Sequence, residues 1–106
     1  MIKIIQLLIL LILSNVIKAE TINVPDSFSS IQAAINASSD FDTVLVSPGF
    51  YQENIDFNGK NIVVTSTYII DQDSTIISST IIDGGQDGSV VIFENNENEN
   101  ATIEGF

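Results

Sequence analysis

Between Phe41 and Phe106 the chain carries six short strand-like segments in two sets of three. The first set is Thr43–Ser47, Asn54–Phe57 and Asn61–Ser66. The second is Thr80–Asp83, Ser89–Phe93 and Ala101 onward. Taken in order, the sets are offset by 37 residues (Val44 to Ile81), 36 (Ile55 to Val91) and 40 (Ile62 to Thr102). Near-constant spacing over three successive pairs predicts a repeated unit, here enlarged by the insertion of the polar stretch Thr67–Ser79. Within the first unit, DTVLVSPGFYQENI (Asp42–Ile55) breaks at Pro48-Gly49 and becomes strand-like again within a few residues. It does so without the two-residue Asn-Gly loop that favours doubling back. A chain that turns a corner and leaves its neighbour for the next pass is coiling. The spacing therefore predicts a parallel β-helix of about two coils, with equivalent strands about 4.8 Å apart along the axis. The rival with the same strands is an antiparallel sandwich or meander, which the offsets and the Pro-Gly corner disfavour.

The strand faces follow from period-two alternation. Val44 and Val46 share one face, with Thr43, Leu45 and Ser47 on the other; Ile55 and Phe57 share the next inward face. Before the first unit, Thr21–Val24 reads as a short strand. Pro25 follows, and Asp26 or Ser27 is the expected N-cap of a helix. From Phe28 the apolar residues recur at 28, 31, 34 and 35, which is helical spacing, and Ser38-Ser39-Asp40 ends the run. Such a helix is expected to plug the open first coil, where unpaired backbone and apolar core would otherwise meet water. The expected organisation is thus a leader at 1–19, a strand and capping helix at 20–41, and coils at 42–106.

The leader has the layout of a secretory signal: a short positive start at Met1-Ile2-Lys3, an apolar run from Ile4 to Leu13 broken by Gln6, and a more polar end at Ser14–Ala19. Cleavage is expected after Ala19, with Ile17 a large residue for the −3 position. Its apolar run of about ten residues falls short of the roughly 20 that a spanning helix needs. The protein is therefore expected to be secreted or at the cell surface, with no membrane association after cleavage. Removing the leader takes Lys3 and Lys18 away. One cation, Lys60, is left against fourteen acidic residues, a formal charge of −13. So negative a surface excludes nucleic acid and anionic lipid as partners. It also repels polyuronates unless a cation bridges them. There is no cysteine, so an exported domain of this size must hold itself together without disulfides.

Four stretches together resemble the N-terminal part of secreted right-handed parallel β-helix repeat proteins of the pectin-lyase-like superfamily. They are SIQAAINA (Ser30–Ala37), DTVLVSPGFYQENI (Asp42–Ile55), NGKNIVVTS (Asn58–Ser66) and TIIDGGQDGSVVIFEN (Thr80–Asn95). The helix–strand–Pro-Gly–Tyr–Glu run is similar to the opening of pectin methylesterases and of many bacterial surface proteins. The resemblance implies a right-handed coil, an extracellular setting, and a polysaccharide or cell-surface glycan as partner. Members of such families continue past the position of Ile103-Glu104-Gly105-Phe106 into further coils. The chain is accordingly expected to be a truncated product or a fragment, since about three repeats are needed for a stable array.

Catalysis is not expected of this chain. Sugar-cleaving relatives of the fold use clustered Asp with Arg, paired Asp with Arg and Gln, or several Asp with a His, and this sequence has neither Arg nor His. A nucleophile activated by His is likewise excluded. No catalytic, cofactor-binding or metal-ligating residue is assigned. Asp40 with Asp42, and Asp71 with Asp73, are paired carboxylates of the kind used for acid–base work or calcium, but read as solvated turn residues. DGGQDGS (Asp83–Ser89) is loosely similar to a calcium repeat, yet as a single copy reads as turn chemistry. Tyr51 could stack on a sugar, or pack over the corner beside it. Gly49 is expected to supply a backbone angle other residues avoid, and Asn61 to join an internal amide ladder. Asn36-Ala37-Ser38 and Asn100-Ala101-Thr102 match glycosylation sequons. Three functions remain in view: a non-catalytic N-terminal cap or fragment of an exported surface or scaffold protein; the leading portion of a carbohydrate-active enzyme; or a calcium-dependent glycan-binding module.

Overall fold

The computed structural model describes residues 18–106; the expected leader at 1–19 lies outside the described residues apart from Lys18 and Ala19. The chain is mainly short strands with a few short helices. In order it forms β1 (Thr21–Val24), α1 (Ile31–Ala37), β2 (Thr43–Val46), β3 (Gly49–Gln52), β4 (Ile55–Asp56) and β5 (Val63–Ser66). It continues with α2 (Tyr68–Asp71), α3 (Ser74–Ser79), β6 (Thr80–Asp83), β7 (Val91–Ile92) and β8 (Thr102–Glu104).

Every strand pairing is parallel. The first sheet has the order β1-β2-β5-β8, the second β3-β6 and the third β4-β7. The chain thus visits the first, second and third sheets through β2, β3 and β4, visits them again through β5, β6 and β7, and returns to the first at β8. An antiparallel sandwich or meander is excluded for these strands.

The expected pairings are partly corrected. Ile55 does face Val91, and the third offset is off by one, with Val63 rather than Ile62 opposite Thr102. The pairing of Val44 with Ile81 is wrong: Val44 lies between Ile22 and Val64. Ile81 is instead opposite Phe50 in β3, a strand that the Pro-Gly corner concealed. The segment Asn61–Ser66 therefore opens the second circuit and does not close the first. The Thr67–Ser79 insertion, which compounded the misalignment, folds into α2 and α3.

Inward positions line up across strands. Ile22, Val44, Val64 and Ile103 occupy one row of the first sheet, with Val24, Val46 and Ser66 in the next. Val24, Val44, Val46, Ile55, Phe57, Ile62 and Val64 are completely buried, as are Ile31, Ala34 and Ile35 of α1. Burial of this kind contributes about 1.5–3 kcal/mol per large apolar side chain relative to exposure. The alternation in β2 and around β4 carries the faces expected of it, with Val44, Val46, Ile55 and Phe57 inside.

Candidate functional site

The helix α1 is only seven residues long and would not persist alone in water. Two side chains of the first circuit, Glu53 and Lys60, and one of the helix's own, Gln32, hold it in place. The Glu53 carboxylate accepts from Ile31 N–H at 2.9 Å through Oε2 and from Gln32 N–H at 3.0 Å through Oε1. These are two of the donors that a helix N-terminus leaves unpaired, and an anion is favoured there. At the other end, Lys60 Nζ donates to the carbonyls of Ile35, Asn36 and Ser38, each at 2.8 Å. All three hydrogens of the ammonium are used, on the partial negative charge of the helix C-terminus. The third contact closes a strand edge: Gln32 Oε1 accepts from Asp56 N–H at 2.7 Å, and Gln32 Nε2 donates to Asp56 O at 3.0 Å. A side-chain carboxamide thereby replaces the neighbouring strand that β4 lacks on that side.

The N-cap of α1 is Ser30, whose Oγ accepts from Ala33 N–H at 3.1 Å. This corrects the expected cap at Asp26 or Ser27. Those residues form the turn after β1, where Ser27 N–H donates to Asn23 O at 2.8 Å.

Three of the four paired carboxylates, Asp40, Asp42 and Asp73, are occupied by backbone donors. Asp42 is buried and accepts from Glu20 N–H (2.9 Å) and Ser39 N–H (2.8 Å), while Asp40 Oδ1 accepts from Asn61 N–H at 2.9 Å. Asn61 Oδ1 in turn accepts from Asn98 N–H at 2.8 Å. The row Asp40–Asn61–Asn98 steps from circuit to circuit, so Asn61 does belong to a ladder. That ladder runs along the outer corner, from side chain to backbone, and is not the internal one expected. Asp73 caps α3 and accepts from Thr75 Oγ1 (2.8 Å) and Thr75 N–H (3.0 Å), which holds its carboxyl below the usual range. Asp71 is exposed on α2. In Asp83–Ser89, Asp83 Oδ1 accepts from Gly85 N–H at 2.7 Å, and Asn54 Nδ2 donates to the carbonyls of Asp87 and Ser89. Among the described residues no group of three or more His, Cys, Asp or Glu is placed to hold a metal ion.

Tyr51 packs over the corner. Its ring is buried, its hydroxyl donates to Ser47 O at 2.7 Å, and a Cβ on Gly49 would stand 3.3 Å from that ring. Gly49 is thus favoured by a close approach to the Tyr51 ring, which corrects the expected unusual backbone angle, since its φ is not positive. Burial raises the Tyr51 pKa, with the charges of Glu53 and Asp26 adding to it. Asn58 and Gly59 both have positive φ (54° and 77°), and a Cβ on Gly59 would meet Asn95 O at 2.8 Å. Glu97 locks that corner, accepting from Gly59 N–H at 3.0 Å and Asn95 N–H at 2.7 Å. Burial pulls the Glu97 pKa upward, but the backbone donors outweigh it and the net displacement is downward.

At the end away from α1, a cavity of about 620 Å³ opens among Ile77, Ile82, Val91, Ile103 and Phe106, with Glu104 among its other lining residues. It continues the apolar interior beyond β6, β7 and β8. Sequence reasoning missed the roles of Glu53, Lys60 and Gln32. A trace of the second was legible, since Lys60 is the one cation in an otherwise acidic stretch. No protein-family model, curated protein or solved structure matches this chain.

Proposed function

We propose that this chain is the N-terminal cap and opening windings of an exported right-handed parallel β-helix of the pectin-lyase-like kind. In this reading it serves as a non-catalytic scaffold or surface-presenting element, secreted or at the cell surface, with a polysaccharide or cell-surface glycan as partner. The observation that carries the reading is the order of pairing. β2, β3 and β4 are followed in parallel by β5, β6 and β7, and β8 begins a third pass on β5. The helix over one end and the apolar cavity at the other agree with a stack that is capped on one side and extended on the other. The absence of His, Arg and Cys supports a structural role. Engagement of the Asp40, Asp42, Asp73 and Asp83 carboxylates by backbone donors supports it further.

The test is the reading frame beyond codon 106, together with the fold of the product it encodes. Further segments of the same spacing, without an Asp/Arg cluster, are expected. Later windings carrying such a cluster would overturn the non-catalytic reading. A stop codon at that point, with residues 20–106 folding as a stable monomer, would overturn the cap reading.

A further inference from the structure

Two sequons stand in very different surroundings. Asn36 lies in the last turn of α1, where its Oδ1 accepts from Gln32 Nε2 (3.0 Å) and Asn58 Nδ2 (3.1 Å), and its carbonyl accepts from Lys60. Two residues on, Ser38 is 5 % exposed, and its hydroxyl donates to Ile35 O at 2.6 Å. Once α1 has formed, neither the carboxamide nor the hydroxyl of this sequon can be drawn out into an extended segment without unseating the helix. Asn100 lies at the end of an exposed run, Asn98–Asn100, in the turn before β8. Its own N–H is held by Asn98 Oδ1 at 2.8 Å, whereas its carboxamide makes no hydrogen bond among the described residues. Thr102 follows at the start of β8, a three-residue strand with one edge unpaired among the described residues, and its hydroxyl makes a single long contact of 3.4 Å to Asn100 O.

We infer that Asn100 is an N-glycan acceptor and the sequon that stays accessible whether or not the rest of the chain has folded. In the transfer, Asn100 Nδ2 forms a bond to the anomeric carbon of an oligosaccharide carried on a polyisoprenyl diphosphate. The anomeric carbon–oxygen bond breaks, the lipid diphosphate leaves with the bonding pair, and one amide proton is lost. The transferase reads the Thr102 hydroxyl alongside the carboxamide. The inference rests on the export reading, because the donor and the transferase are met only in a secretory compartment.

The full chain is to be produced in a eukaryotic secretory host in two forms, one with its own residues 1–19 and one behind a leader of proven efficiency. The intact mass of the secreted product is measured before and after treatment with the amidase that releases N-linked glycans and leaves a carboxylate in place of the carboxamide. The expected result is a mass raised by one oligosaccharide at Asn100, lost in both Asn100→Gln and Thr102→Ala. A glycan obtained only behind the proven leader would support the site and count against the export reading. Secreted product with an unmodified Asn100 behind the proven leader would overturn the inference, whatever Asn36 carries.

Discussion

The two ends of the stacked strands are built from equivalent positions, yet they are finished differently. At the α1 end, Ile55 and Phe57 are completely buried and Tyr51 nearly so. One circuit further on, the residues in the same rows are Val91, Phe93 and Ile82; Val91 and Ile82 are half-buried and Phe93 is 45 % exposed. The Phe57 and Phe93 rings touch, with centroids 4.4 Å apart, so the one difference between them is what lies on the far side. Backbone tells the same story. The edge of β4 beside the helix is satisfied by Gln32, whereas the outer edges of β6, β7 and β8 meet no further strand among the described residues. Strand sequence sets which side chains point inward, but burial depends on a cover, and here a seven-residue helix clamped by one anion and one cation supplies it.

The comparison can be broken most directly by truncating one row at two heights. Ile55→Ala is expected to destabilise by about 2–5 kcal/mol. Val91→Ala, at a position that already meets water, is expected to lose less than about 1.5 kcal/mol. Urea unfolding of both variants measures the contrast, and equal losses would mean that the two ends are equally closed. Next in size is the clamp. Lys60→Met keeps an apolar stem but strips the carbonyls of Asn36 and Ser38 of their donor and removes one of those on Ile35 O, at a cost of about 1.5–3 kcal/mol, falling off with added salt. Glu53→Gln retains one acceptor for the two helix donors and is expected to cost about 1 kcal/mol. Hydrogen exchange should report both losses first at Ile31–Ala37, and uniform loss over β5–β8 would contradict the assignment of these residues to the helix.

Smaller effects should follow pH. A phenol whose folded pKa is raised adds stability that is fully present below its unfolded pKa, near 10.0, and is lost as pH rises through the folded value. Tyr51→Phe should therefore remove about 1 kcal/mol at neutral pH through the lost bond to Ser47 and blunt the alkaline decline. Glu97 behaves in the opposite sense. Its lowered pKa gives stability that is present above the unfolded carboxylate value and lost as pH falls through the folded one. The Glu97→Gln variant should differ from the parent at neutral pH and converge with it in acid, as followed by thermal melts across that range.

Much of the strand content was legible because period-two alternation is local: Val44, Val46, Ile55 and Phe57 declare their face without reference to any partner. The 36-residue step from Ile55 to Val91 was legible too, since nothing interrupts the pattern at either segment. β3 was not, because Gly49-Phe50-Tyr51-Gln52 offers no alternation and follows a proline. The first pairing failed for the same reason, compounded by the insertion that became α2 and α3. The candidate site was legible in less measure. Glu53, Lys60 and Gln32 act through contacts 21 to 25 residues distant, and no local pattern marks an acidic or amide side chain as a helix clamp or an edge substitute.

By itself, then, the sequence determined most of the short segments that extend, β3 excepted, which of their faces are apolar, that a helix precedes them, and that the chain after Ala19 is strongly acidic and free of cysteine. Tertiary structure alone decided which strand lies beside which, where the first circuit ends, and how the helix is anchored. The physical reason is range: alternation and capping propensity act over a few residues, whereas partner choice depends on how the intervening turns and insertions close. That closure brings Glu53, Lys60 and Gln32 into register with backbone groups that the sequence places far away.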